Sequence, residues 1–196
     1  MRIRRLLPLL LLLPLFFMLN GCGYNQMQRN EEIVNEAWAN VQATYQRRAD
    51  LIPNLVATVK GYAQHEKETL EAVTAARAKV GQITLSAKDL SNPQLMAKFQ
   101  QAQGELSSTL SRLMVVVERY PDLKANQNFQ DLQNQLEGTE NRINVARQRY
   151  NHAVQIYNTS LRIFPNNLTN RFMLHLQPKQ PYTAEPGAAK APQVKF

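Results

Sequence analysis

Cysteine is almost missing from this chain: one in 196 residues. That excludes a disulfide framework and a cysteine-rich zinc site. Glycine is scarce as well, seven in all and six beyond residue 22, which argues against a turn-rich β-sandwich or barrel. Three histidines leave little room for imidazole chemistry. Charged residues are only 19% and hydrophobic ones 44%, so the apolar content suffices for a core and wholesale disorder is excluded. The length allows one domain or two small ones. No G-x-S-x-G elbow, glycine-rich phosphate loop or dinucleotide fingerprint occurs. No catalytic residue, cofactor or small-molecule substrate is therefore expected.

What is present begins at the N-terminus. Arg2, Arg4 and Arg5 form a basic start, and Leu6 to Leu19 is apolar throughout, interrupted by Pro8 and Pro14. A spanning helix needs about 20 apolar residues, so this run fits the hydrophobic region of a signal peptide better. Leu19-Asn20-Gly21-Cys22 follows and resembles a bacterial lipobox, with a large apolar residue three before the cysteine and a small one just before it. The resemblance implies cleavage between Gly21 and Cys22, diacylglycerol on the Cys22 thiol and acylation of its amine. Stable anchoring takes more than one acyl chain. Gly23 is not the aspartate that typically holds lipoproteins at the inner membrane, so an outer-membrane anchor facing the periplasm is expected. The alternative is an uncleaved signal anchor at the inner membrane. The arginines stay inside in either case.

Beyond residue 25 the apolar residues recur at helical spacing. One run reads Ile33, Val34, Ala37, Trp38, Val41, Tyr45, and the next Leu51, Ile52, Leu55, Val56, Val59, Tyr62, fading towards Val80. Asn92-Pro93 signals a helix start, with a stripe from Leu95 to Tyr120. A last run starts near Asn126 and carries Phe129 to Phe164. Pro53 is ambiguous. One continuous helix over residues 26–80 would measure about 80 Å, and the helix predicted over 92–119 could cover only half of it. A reversal near Ala49–Asp50 avoids exposing Val34, Trp38 and Tyr45, with Asp50 as cap and Pro53 in the first turn. The expected fold is all-α, an antiparallel up-and-down four-helix bundle. The alternative is a three-helix bundle whose long first helix is kinked at Pro53. The domains are then a lipoprotein signal peptide over 1–21, the bundle over 22–176 and an extended, proline-rich tail over 177–196. Phe172, Leu174 and Leu176 are apolar enough to pack just before that tail.

Arg47-Arg48-Ala49-Asp50-Leu51-Ile52-Pro53-Asn54-Leu55-Val56, then Val59-Lys60-Gly61-Tyr62 and His65-Glu66, resembles the LemA family. So do Ala37-Trp38-Ala39, Tyr120-Pro121-Asp122-Leu123-Lys124-Ala125, Glu140-Asn141-Arg142-Ile143 with Ala146-Arg147, Tyr150-Asn151, Tyr157-Asn158 and Phe164-Pro165. The tail, Glu185-Pro186-Gly187-Ala188 and Ala191 to Phe196, is similar to the family's usual ending. The resemblance implies an all-α bundle on the outer side of a membrane. Family members usually carry an N-terminal transmembrane helix, which this chain replaces with a lipobox. It implies no enzymatic activity and brings no catalytic residues. Relatives include magnetosome-membrane proteins, and others are encoded beside secreted TPM-domain membrane proteins, which hints at a shared envelope complex.

Among polar candidates, Arg47, Arg48 and Asp50 form a possible docking or anion-binding cluster at a helix junction. The structural reading is arginine satisfying carbonyls or Asp50. Arg48 falls in the apolar register, so its stem is expected to be buried and its head paired. Tyr150-Asn151 and Tyr157-Asn158 are seven residues apart and share one helix face, either as a recognition stripe or as core tyrosines; Trp38 reads as core. His65 with Glu66 and Glu68 lacks the second histidine of H-E-x-x-H, since Thr69 stands there, and His152 and His175 lack carboxylates at ligand spacing. No metal is expected.

The net charge is +8, or +5 without the first arginines. The positives are scattered, and secretion removes the chain from nucleic acid; Arg142, Arg147 and Arg149 could meet an acidic partner or a lipid surface. The expected function is a membrane-anchored, non-enzymatic scaffold or interaction lipoprotein of the envelope, with the membrane and unknown envelope proteins as partners. The alternatives are direct membrane-surface binding or remodelling, and an enzyme with an unrecognised site in a bundle cleft.

Overall fold

The computed structural model describes residues 3–183, and of residues 3–22 the helical backbone alone. The signal-peptide side chains, the Cys22 thiol and the tail beyond Thr183 lie outside the described residues. Six helices follow along them: α1 (Ile3–Tyr62), α2 (Lys67–Gly81), α3 (Pro93–Val117), α4 (Pro121–Lys124), α5 (Gln127–Ser160) and α6 (Asn166–Thr169). A 3-10 turn (Asp89–Ser91) precedes α3 and a π-helical turn (Asn170–Leu174) follows α6. No strand occurs among the described residues. None of their helices is long and apolar enough to cross a membrane.

The caps obey local chemistry. The Asn92 side chain accepts from the N–H groups of Gln94 and Leu95, with Pro93 in the first turn. The Asn126 side chain accepts from Phe129 N–H and opens α5. Both satisfy donors that a helix start leaves orphaned.

The expected reversal at Ala49–Asp50 does not occur, and with it goes the bundle built on that reversal. α1 runs unbroken through Pro53 to Tyr62, and the chain turns at residues 63–66 instead. A proline inside a helix removes the N–H that would bond the carbonyl four residues back. Here that carbonyl belongs to Ala49, and Arg77 Nε of α2 donates to it at 2.8 Å. A side chain from the neighbouring helix thus replaces the missing donor. Arg77→Ala is expected to lower stability by about 1–2 kcal/mol. The loss should shrink in a Pro53→Ala background, where Ala49 regains its own helical partner. A double-mutant cycle on thermal melts reads this coupling, and strictly additive losses would refute it.

α5 lies antiparallel along α1. Gly23 abuts Asn166, Tyr45 meets Arg147, Arg48 meets Glu140 and Tyr62 meets Asn126. α2 and α3 are antiparallel to each other, joined by Glu66 with Arg119 and by Lys79 with Glu105. The core has two storeys. One collects Ile52, Leu55 and Val59 of α1, Leu70 and Val73 of α2, Leu106 and Leu113 of α3, and Phe129 and Leu136 of α5. The other holds Val34, Trp38, Val41 and Tyr45 against Phe99, Tyr150, Val154 and Tyr157, closed by Leu85, Leu90 and Tyr182. No fourth full-length helix is needed over Val34–Tyr45. The connection before α3 and the segment after the π-turn cover it. Of the residues expected to pack before the tail, Leu174 and Leu176 do, while Phe172 is exposed.

Candidate functional site

Arg48 sits in sequence between the two storeys of α1 and is fully buried. Its Nη1 donates to Ser107 Oγ at 2.7 Å and to Glu140 Oε1 at 2.8 Å. Its Nη2 donates to the Gln103 side-chain oxygen at 2.6 Å and to the Gln103 carbonyl at 3.3 Å. The guanidinium also stands 5.0 Å from the Tyr45 ring centroid. A buried charge persists only when paired and hydrogen-bonded, and three helices supply those partners. Arg48 therefore bolts α1 to α3 and α5. Arg47 and Asp50 do not share this site. Both are exposed on the opposite face, and Asp50 caps nothing; it accepts from Gln46 within the same helix.

The tyrosine–asparagine repeat on α5 clasps the segment 177–183. Asn151 Nδ2 donates to the Tyr182 carbonyl at 3.0 Å, and its Oδ1 accepts from Tyr182 N–H at 2.7 Å. One turn pair further on, Asn158 does the same to residue 179, at 2.9 Å each way. The Tyr150 hydroxyl donates to the Gln180 carbonyl at 2.8 Å and Tyr157 to Gln177 at 3.2 Å. The spacing explains the match. Seven helical residues rise about 10.5 Å, and three residues of extended chain span about 9–10 Å. Pro178 and Pro181 suit such an extended backbone.

The strap's own side chains complete the lock. Lys179 is buried, its ammonium 3.0 Å from Glu31 and donating to the Ala87 carbonyl at 3.1 Å. Tyr182 enters an aromatic box with Trp38, Tyr45, Phe99 and Tyr150. Arg147 closes it, 4.9 Å from the Tyr182 ring and donating to the Tyr45 hydroxyl at 2.7 Å. Trp38 Nε1 donates to the Leu85 carbonyl at 3.2 Å.

Burial raises the hydroxyl pKa of Tyr150, Tyr157 and Tyr182 above the ordinary value of 10.0. The folded state holds these protons more tightly than the unfolded chain does. Their stabilisation is complete below about pH 10 and is lost as pH climbs beyond it. Tm is expected to fall steeply above about pH 10, and Tyr182→Phe should flatten that fall. An equally steep alkaline fall in Tyr182→Phe would contradict the assignment.

A groove of about 1190 Å³ runs along the other side of the α1–α5 pair. Ile33, Val145 and Ile156 stand exposed in it, over a floor that includes Ala37, Ala146 and Ala153. Arg47, Asp50, Arg142, Arg149 and His152 line it too. The three arginines read from the sequence as able to meet an acidic partner or a lipid surface are divided: Arg142 and Arg149 line the groove, and Arg147 turns inward onto Tyr45 and Tyr182. Glu66 is engaged by Arg119 and by the Tyr120 hydroxyl, at 3.0 Å each, while His65 is exposed. Among the described residues no group of three or more His, Cys, Asp or Glu side chains is placed to hold a metal ion.

Sequence reasoning missed Lys179, Tyr182 and Arg77. The seven-residue Tyr-Asn repeat was the available signal for the first two, since a paired amide is suited to reading a backbone. For Arg77 there was none, because its partner is a carbonyl.

The match described as the LemA family covers residues 37–196, from the start of the aromatic stripe to the last residue. Protein LemA of Metamycoplasma hominis is 24% identical over 131 residues, which are 67% of this chain and 56% of that protein. The chain thus matches little more than half the length of that relative. The family match takes in α1 from Ala37 onward, every later helix and the strap that α5 clasps. On that extent, the chain belongs to the LemA family.

Proposed function

We propose that this protein is a non-enzymatic scaffold of the bacterial envelope, held on the periplasmic side of the outer membrane by an acylated Cys22. One observation carries the scaffold reading: the conspicuous polar side chains serve the fold. Arg48, Asn151, Asn158, Arg147 and Lys179 are each committed to an internal partner. What faces outward is the α1–α5 groove, with apolar Ile33, Val145 and Ile156 beside Arg47, Asp50, Arg142 and Arg149. A face of this kind suits a partner helix, whose apolar stripe fills the trough while its charges meet the rim. Family membership supports the reading, because the LemA family is not a known enzyme family. The lipobox at Leu19–Cys22 supports the anchor.

Intact mass of the protein extracted from membranes tests the anchor. A cleaved, acylated mass that disappears in Cys22→Ala is the expected result, and a full-length, unmodified mass in both would exclude it. A photo-crosslinking residue placed at Val145 in living cells tests the scaffold. Discrete adducts with an envelope protein are expected there and not from exposed Glu71 on α2. The same bulk lipoproteins at both positions would count against a docking face.

A further inference from the structure

We propose that the end of the molecule formed by residues 162–173 is a membrane-docking face that rests on the lipid surface beside the anchor; this rests on the anchor reading above. Among the described residues eleven large hydrophobic side chains are exposed, and five of them fall in this one stretch: Ile163, Phe164, Leu168, Phe172 and Met173. Phe164 is 79% exposed, Phe172 72% and Met173 64%. Single exposed apolar residues are ordinary, whereas a cluster marks a contact surface.

The position of the cluster names the occupant. Because α5 lies antiparallel to α1, its C-terminal end returns to the level where the chain leaves Cys22. Gly23, the very next residue, packs on α6: a Cβ there would stand 3.5 Å from the Asn166 Cα and 2.3 Å from its side-chain oxygen. Any lipid surface that holds Cys22 therefore lies against the turns on either side of Asn166. Those turns carry the exposed aromatics.

The charge agrees. From Asn141 through Ala184 the sequence holds no aspartate or glutamate. Arg162 precedes the apolar cluster and Arg171 stands within it, both exposed, Arg171 lying 5.9 Å from the Phe172 ring centroid. Aromatic and aliphatic side chains settle at the boundary of headgroups and acyl chains, and arginines beside them reach phosphate. A soluble protein partner would explain an apolar patch, but neither its place beside Cys22 nor its one-signed rim.

The test uses the full chain in cells, with benzoylphenylalanine placed singly at Phe164, Phe172 or Val115. Val115 is 70% exposed and lies near the far end of α3, away from Gly23. After irradiation, intact mass reports the adduct and, in the same spectrum, whether the chain is acylated. Phospholipid adducts at Phe164 and Phe172, at least about tenfold above those at Val115, are the expected result. An acylated chain that gives no lipid adduct at either position, or adducts with a protein or a second copy instead, overturns the docking face and leaves the anchor standing. A chain found unacylated and in the soluble fraction overturns both.

Discussion

Arg48→Ala is expected to destabilise the protein by about 2–4 kcal/mol, through the void it leaves in the core and the buried polar partners on α3 it leaves without a donor. The substitution strips the Gln103 side chain, Ser107 and Glu140 of a common donor and opens a void between two core storeys. At this size each kcal/mol shifts Tm by about 2–4 °C, so a fall on the order of 10 °C should appear in a thermal melt. Arg48→Lys should recover little of it. An ammonium is a single point donor and cannot reach Ser107, Glu140 and Gln103 together as the planar fork does. Glu140→Gln should cost far less, since an amide oxygen still accepts and the Glu140 side chain is 43% exposed. A melt of Arg48→Ala within a degree or two of wild type would show that the arginine is not the bolt described here.

The second large effect is local. In the double variant Asn151→Ala, Asn158→Ala, residues 177–183 are expected to leave α5. Four hydrogen bonds disappear, at a net of about 1 kcal/mol each. A change on the order of 4 kcal/mol in local opening multiplies the open population by roughly a thousand. Trypsin reads this directly at Lys179, whose side chain is buried in the clasped state. Cleavage after Lys179 should accelerate by at least about a hundredfold, while amides in the middle of α5 keep most of their hydrogen-exchange protection. Unchanged cleavage would mean that Tyr182 in its aromatic box suffices to hold the strap.

The helical character and several boundaries were legible in the sequence, because they rest on short-range rules. Asn92 and Asn126 cap where an asparagine before a helical run should, and the buried faces follow the 3.6-residue period. The path through Pro53 was not legible. A proline in a helical stripe is either a start or an interior residue with an orphaned carbonyl, and what decides is a donor 28 residues away. The covering of Trp38 was hidden for a related reason. It depends on a turn, a loop and a strap, none with a periodic pattern. The strap itself read as a tail because its prolines exclude a helix, and nothing in its composition says that its backbone is recognised. Arg48 was legible in part: a charged residue in an apolar register announces burial, but not which helices supply its partners. The same limit applies to Phe172, where an apolar residue of correct type faces outward.

The unbroken course of α1 sets a distance. From Cys22 to Tyr62 the helix advances about 60 Å at 1.5 Å per residue, and α5 returns along it. The pole built from Tyr62, Glu66, Tyr120 and Asn126 thus stands at a fixed height above whatever surface holds residue 22. On the scaffold reading proposed above, the protein would act as a strut, the length of α1 setting the standoff of anything gripped at that pole.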